Sequence, residues 1–225
     1  MQSAVAGRIN KPYQALNTMP ITYPITLPTD FVSMEISFVG ENVVGVWVSP
    51  QSLQSQFYEF PGKRWRCNIK VPPLKTVDAA ERVVGAFLSL NGRLGSFYLN
   101  DTSKRVASGV ATGAPQVSGI QTAGSMDLNT KGWTPGVNQI LKAGDWVQVG
   151  IGASMRLHKV LADANSNGTG NATLSVWPRL RSAYADGTLI ITTNASGVFT
   201  MDNDFTWSID LARTYGIAIA ATELV

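Results

Sequence analysis

The feature that most constrains this chain is a two-residue period in its apolar side chains. Trp65, Cys67, Ile69 and Val71 alternate with Arg66, Asn68 and Lys70. Phe205, Trp207, Ile209 and Leu211 alternate with Thr206, Ser208 and Asp210, and Val32, Met34, Ile36 and Phe38 with Ser33, Glu35 and Ser37. Side chains on an extended strand point alternately to opposite faces, so this period makes half-buried strands and cannot make one stripe on a helix. A mainly β fold is expected. The 225 residues are enough for a sizeable core, and 44% are hydrophobic against 15% charged, the reverse of a disordered chain.

One helix interrupts the pattern, from about Thr76 to Leu90. Thr76 suits the N-cap, Asp78 lies where the helix dipole favours an acid, and Asn91-Gly92 supplies a stop. Ala80, Val83, Val84, Phe87 and Leu88 form one apolar stripe and should face a sheet. Val43 to Val48 is a short apolar run. Phe57 to Phe60 leads into Pro61-Gly62, read as the turn of a hairpin whose second strand is Trp65 to Val71.

Near Asn100 the composition changes. Gly, Ser, Thr and Ala dominate to about Ser125, and short strands follow at 116–122, 146–150, 155–162, 172–177 and 188–192. They read as a small barrel. Strong alternation then returns from Phe205 through Tyr215, Ile217 and Ile219. The domains expected are an extended Pro-rich arm at 1–30, a discontinuous β domain from 31–104 and 194–225, and an inserted barrel at 105–193. Two consecutive domains with a boundary near 105 are the alternative.

The chemistry-bearing residues are few. One cysteine, Cys67, permits no internal disulfide, and with one histidine, His158, excludes Cys/His zinc sites within a chain. His158 has no nucleophile motif near it, and Asp202 and Asp204 sit too close together to flank a glycosidic bond. No catalytic residue, metal site or cofactor is expected. Asp163-Ala-Asn165-Ser-Asn167-Gly168 opens like a calcium loop, yet Leu174 stands where the bidentate acid belongs, so a hairpin turn is the reading. The net charge of +3 is scattered, with Lys63, Arg64 and Arg66 its densest group, which does not make a nucleic-acid footprint. No apolar run approaches the roughly 18 residues of a membrane helix. The first residues hold no apolar signal core, so a protein made and used without export is expected. Tryptophans in the predicted strands are read as core or subunit-interface packing.

Three stretches together resemble the distal tail proteins of siphophages: AAERVVGAFLSLNGRLGSFYLND at 79–101, the segment 140–181 beginning ILKAGDWVQVGIG, and the closing strand pair from Gly197 to Glu223. The resemblance implies a β-sandwich belt domain that assembles as a homohexameric ring, with an OB-like or galectin-like barrel inserted on its outer side. It implies a structural protein of the virion tail tip, made in the bacterial host cytoplasm. Its partners would be its own copies, the tail tube protein, the baseplate hub protein and the tape-measure protein. Specific nucleic-acid binding and membrane contact are not expected. Lys63, Arg64 and Arg66 are the candidates for a seam or an acidic partner, because the wall of a DNA channel should be neutral or acidic. The alternative is a carbohydrate-binding β module using Trp133 or Trp177.

Overall fold

The computed structural model describes residues 21–29, 34–74, 76–210 and 214–224. Most of the expected arm, together with Val32 and Leu211, lies outside the described residues. The elements in chain order are β1 (Glu35–Val48), β2 (Ser55–Val71), α1 (Val77–Leu88), β3 (Ser96–Asn100), β4 (Gly113–Val117), β5 (Asp127–Trp133), β6 (Trp146–Val149), β7 (Arg156–Val160), β8 (Ala172–Trp177), β9 (Ile190–Ile191), β10 (Ser196–Met201), β11 (Trp207–Ile209) and β12 (Tyr215–Glu223). The fold is mainly β.

The strands form two six-stranded sheets. The first runs β1-β2-β12-β10-β3, with β11 also pairing β12. It unites strands that precede residue 101 with strands that follow residue 195. The second runs β4-β5-β8-β7-β6-β9, and a bridge from Gln116 to Leu189 brings its two ends together into a nearly closed barrel.

In the first sheet the two-residue period does what the sequence requires. Trp65, Cys67, Ile69 and Val71 are buried while Arg66, Asn68 and Lys70 are exposed. Their register partners Ala221, Ile219 and Ile217 on β12 continue the same buried face. The layer over this face is α1, with Tyr23, Ile25 and Leu27 at one side and Trp146, Leu157 and Trp177 of the second sheet at the other. The facing layer of the expected sandwich is thus mixed, part helix and part barrel.

Helix α1 begins where Thr76 accepts a hydrogen bond from the Ala79 N–H at 3.2 Å. Ala80, Val83, Val84 and Phe87 are all buried. Leu88 departs from the expected stripe. It is the last helical residue and 50% exposed, and the side chain that closes this end of the core is Leu90 in the following turn. Asn91 and Gly92 then take positive φ, and the chain reverses toward β3.

Two further expectations are corrected. Pro61-Gly62 is not a turn. β2 runs straight through it, and the hairpin closes at 49–54, where the Ser49 N–H donates to the Gln54 carbonyl at 2.9 Å. The register shifts between Asn42–Lys63 and Val44–Glu59, so Val43 faces Phe60, Pro61 and Gly62 together. A bulge accommodates a proline that has no N–H for the ladder. The long strand expected from Phe205 to Leu211 is only Trp207–Ile209, all three residues exposed. Phe205, ahead of the strand, still packs against the core, but among the described residues Trp207 and Ile209 stay exposed, so the alternation is only partly used.

The barrel encloses a separate core of Leu128, Val147, Val149, Val160, Leu174 and Val176 among others. Strand β5 had no counterpart in the sequence reading. Its polar Thr130 is buried and serviceable there because its hydroxyl donates to the Ala172 carbonyl at 2.7 Å.

Candidate assembly surface

The outer half of the β1–β2 hairpin projects beyond the layers that cover the first sheet. Trp47 is 70% exposed, Leu53 77%, Phe57 72% and Tyr58 67%, and Val43, Val44, Val46, Val48 and Phe60 are also exposed. Register puts Gly45 opposite Tyr58 and Val46 opposite Phe57, so neighbouring residues carry apolar groups to both faces of the ribbon. The sequence signal for this was the unbroken run at Val43–Val48 and the adjacent Phe57-Tyr58. Consecutive apolar residues on a strand mean that both faces want cover.

Both edges of this ribbon are open among the described residues. No strand pairs with the outer edge of β1, and β12 pairs with β2 only from Arg66 to Val71. The segment from Ser55 to Arg64 therefore presents a second unpaired edge. From Asn42 to Tyr58 the hairpin carries no charged residue.

Charge gathers at the base of the hairpin instead. Lys63 is nearly buried and pairs with Glu59, which also takes Arg179 at 2.7 Å. Arg64 pairs with Glu41, and Arg66 with Asp202 at 3.2 Å. The hydrogen bond from Lys63 holds the Glu59 carboxyl below its ordinary range, and the bond from Arg64 does the same for Glu41. The three cations are therefore matched within the chain, Lys63 by Glu59 on the same strand, Arg64 by Glu41 on β1 and Arg66 by Asp202 just after β10, and they do not form a free basic patch. A groove of about 890 Å³ beside them is lined by Arg64, Arg66, Arg93, Asp202 and Thr222, a mixture of signs and neutral groups that selects no single charge.

Of the residues weighed for catalysis, His158 and Asp202 are engaged structurally, and Asp204 is exposed. His158 is fully buried, and burial pushes its imidazole down to about 4. Asp202 receives the Thr222 hydroxyl as well as Arg66. Burial pushes the Cys67 thiol up to about 12, so little thiolate exists near neutrality. In the Asp163 loop, Asp163 accepts from the Ala143 N–H at 2.9 Å, and Asn165 from the Gln139 N–H at 2.7 Å. Asn167 accepts the Thr169 and Asn171 N–H groups. These oxygens build turns. Among the described residues no group of three or more His, Cys, Asp or Glu side chains is placed to hold a metal ion.

The two tryptophans considered as sugar platforms are both engaged in packing, Trp133 fully and the half-buried Trp177 in part. Trp133 is buried with its indole N–H on the Thr130 hydroxyl, and Trp177 packs against Trp65 with ring centroids 4.2 Å apart. No described helix is long and apolar enough to cross a membrane. A scan of protein-family models matches none to this chain, and a search of curated proteins finds no match.

Proposed function

We propose that this chain is a structural subunit that closes head-to-tail into a ring at the distal end of a long non-contractile phage tail, joining the tail tube to the baseplate hub. The observation that supports it is the hairpin, with two edges unpaired among the described residues and apolar side chains on both faces. Such an element is an aggregation hazard in a monomer and a pairing site in an assembly. When hairpins related by rotation about an axis point the same way, β1 of one copy lies beside β2 of the next in antiparallel sense. A contact of this kind uses different surfaces on its two sides, and a rotation that closes makes a ring.

The uncharged stretch from Asn42 to Tyr58 suits the wall of a channel for a genome. Without Lys or Arg on that wall, phosphates gain no counterion-release affinity, and DNA can slide. The phage setting, the sixfold count and the tube, hub and tape-measure partners rest on the resemblance of 79–101, 140–181 and 197–223. No catalytic role is proposed.

Native mass spectrometry and electron microscopy of the purified protein test the reading. A closed ring with a central hole is the expected result, and a persistent monomer at tens of micromolar would remove it.

A further inference from the structure

The hairpin leaves the body of the protein near Asn42 and Lys63, and its own sheet is not all that holds it there. The segment Trp177–Arg181, at the end of β8, reaches back to the first sheet with every second residue. The Trp177 indole N–H donates to the Asn42 side-chain oxygen at 3.3 Å, and its ring meets Trp65 edge-on at 72°. Arg179 pairs with Glu59 at 2.7 Å while donating to the Gly124 carbonyl at 3.3 Å, so it grips the hairpin and its own barrel together. Arg181 pairs with Glu223 at 2.9 Å, and Glu223 also accepts the Trp65 N–H at 3.1 Å. A glycine makes room for this. A Cβ on Gly40 would lie 2.9 Å from the Trp177 ring, closer than such contacts allow, and Gly40 is the register partner of Trp65.

We infer that Trp177, Arg179 and Arg181 form a strap that sets the direction of the hairpin relative to the barrel, and that these are the positioning residues for closure of the ring; the second half of this rests on the assembly reading above. The three anchors fall on three different strands: Asn42 on β1, Glu59 on β2 and Glu223 on β12. Asn42 and Glu59 belong to the hairpin itself, and Glu223 holds the Trp65 N–H in the strand just below it, so the base of the hairpin is tied to the barrel at three points. The need for an outside fixture follows from the hairpin itself, because a two-stranded ribbon with no covering layer is compliant and twists freely. In a ring, the same angular error recurs at every seam and adds up around the circle, so a loosely aimed hairpin gives open or mixed assemblies.

The test separates the strap from the ring. Spin labels are placed at the exposed positions Leu53→Cys, in the hairpin turn, and Ala162→Cys, on the barrel, with the buried Cys67 left in place. Labelled protein is diluted into unlabelled protein so that only distances within one subunit are read by pulsed electron resonance. The parent should give one narrow distance distribution. Arg179→Ala combined with Trp177→Leu should broaden it, Arg179→Lys should leave it narrow, and near-ultraviolet circular dichroism should show all variants folded. Assembly of the double variant should need about tenfold more protein for half-saturation, because loosening the docked geometry weakens each seam. A broad distribution in the parent, or an equally narrow one in the double variant, overturns the strap. Broadening with unchanged assembly overturns the positioning role. Broadening in the variant of a parent that never forms rings leaves the strap standing and removes the ring.

Discussion

The Nδ1 of His158 lies 2.9 Å from the carbonyl oxygen of Pro178, inside a site with almost no solvent contact. A carbonyl only accepts, so Nδ1 carries the proton, and Nε2 is left as the acceptor facing the Tyr184 hydroxyl at 3.5 Å. Burial is the main reason the imidazole is pushed from 6.5 down to about 4, and the nearby Arg181 and Arg156 add to it. Between those two values the unfolded chain binds a proton that the folded chain refuses. The stabilisation is complete above about 6.5 and is lost as pH falls toward 4, roughly 3 kcal/mol in all at 1.36 kcal/mol per unit. Glu223 acts in the opposite sense, since burial raises its carboxyl. The measurement is therefore a difference: melting temperature against pH for the parent and for His158→Gln, with the variant flatter across this window. Parallel curves would show that His158 titrates as in water.

Asp145 predicts the stability of the barrel. Its side chain has no exposed surface and accepts the Ser108, Gly109 and Lys142 N–H groups at 2.8, 3.1 and 2.8 Å, with Lys104 at 2.8 Å. Burial opposes its charge, but the Lys104 ammonium and the three N–H groups outweigh it and hold the carboxyl below its usual 3.8. Asp145→Ala should cost about 3 kcal/mol, the lower end for breaking a buried pair, because Lys104 is partly exposed and screened. The parent should lose this contribution only as pH falls through the lowered carboxylate value. Urea unfolding at pH 7 and pH 3 checks both statements.

Phe87 joins the helix to the first sheet. It is fully buried, meets Phe97 edge-on at 5.8 Å and stacks with Phe205 at 5.3 Å. Phe87→Ala should cost about 3–5 kcal/mol, the usual range for a buried aromatic truncation. Leu88→Ala, on the exposed side, should stay within about 0.5 kcal/mol. Equal melting shifts for the two would contradict the packing.

The hairpin surface should behave in the opposite way. Trp47→Asp with Phe57→Asp changes two exposed residues, so the melting curve of the unassembled subunit should move by less than about 1 kcal/mol. Sedimentation should show assembly abolished. Intact rings from this variant would mean that the seam lies elsewhere.

The Asp163 loop should take no calcium in the micromolar range. Leu174 stands at the position of the bidentate acid, and the loop oxygens already accept backbone N–H groups. A calorimetric signal lost on Asp163→Ala would reverse this.

Sequence alone carried whatever depends on side-chain period and near neighbours. The alternation at Trp65–Val71 stated which side chains are buried and that the fold is mainly β, because strand geometry ties facing to position. The spacing of Ala80, Val83, Val84 and Phe87 did the same for the helix, and Thr76 marked its start. Those readings fail where a distant partner decides. Phe205 to Ile209 alternates as well as any strand, yet only Phe205 reaches the core, and Trp207 and Ile209 stay exposed among the described residues. Pro61-Gly62 has the chemistry of a turn, but β1 offers a register in which a bulge absorbs the proline. Leu88 ends the helix half exposed, and Leu90 in the following turn takes the core position instead. The carboxylates that match Arg64 and Arg66, Glu41 and Asp202, come from distant parts of the chain, whereas Glu59 beside Lys63 is near in sequence. The contact of Trp177 with Gly40 and Asn42 joins two sheets through residues more than a hundred positions apart, and no local pattern encodes it. Period and capping are properties of a few consecutive residues, whereas register, cover and charge matching are set by which strands meet, and only the tertiary structure decides that.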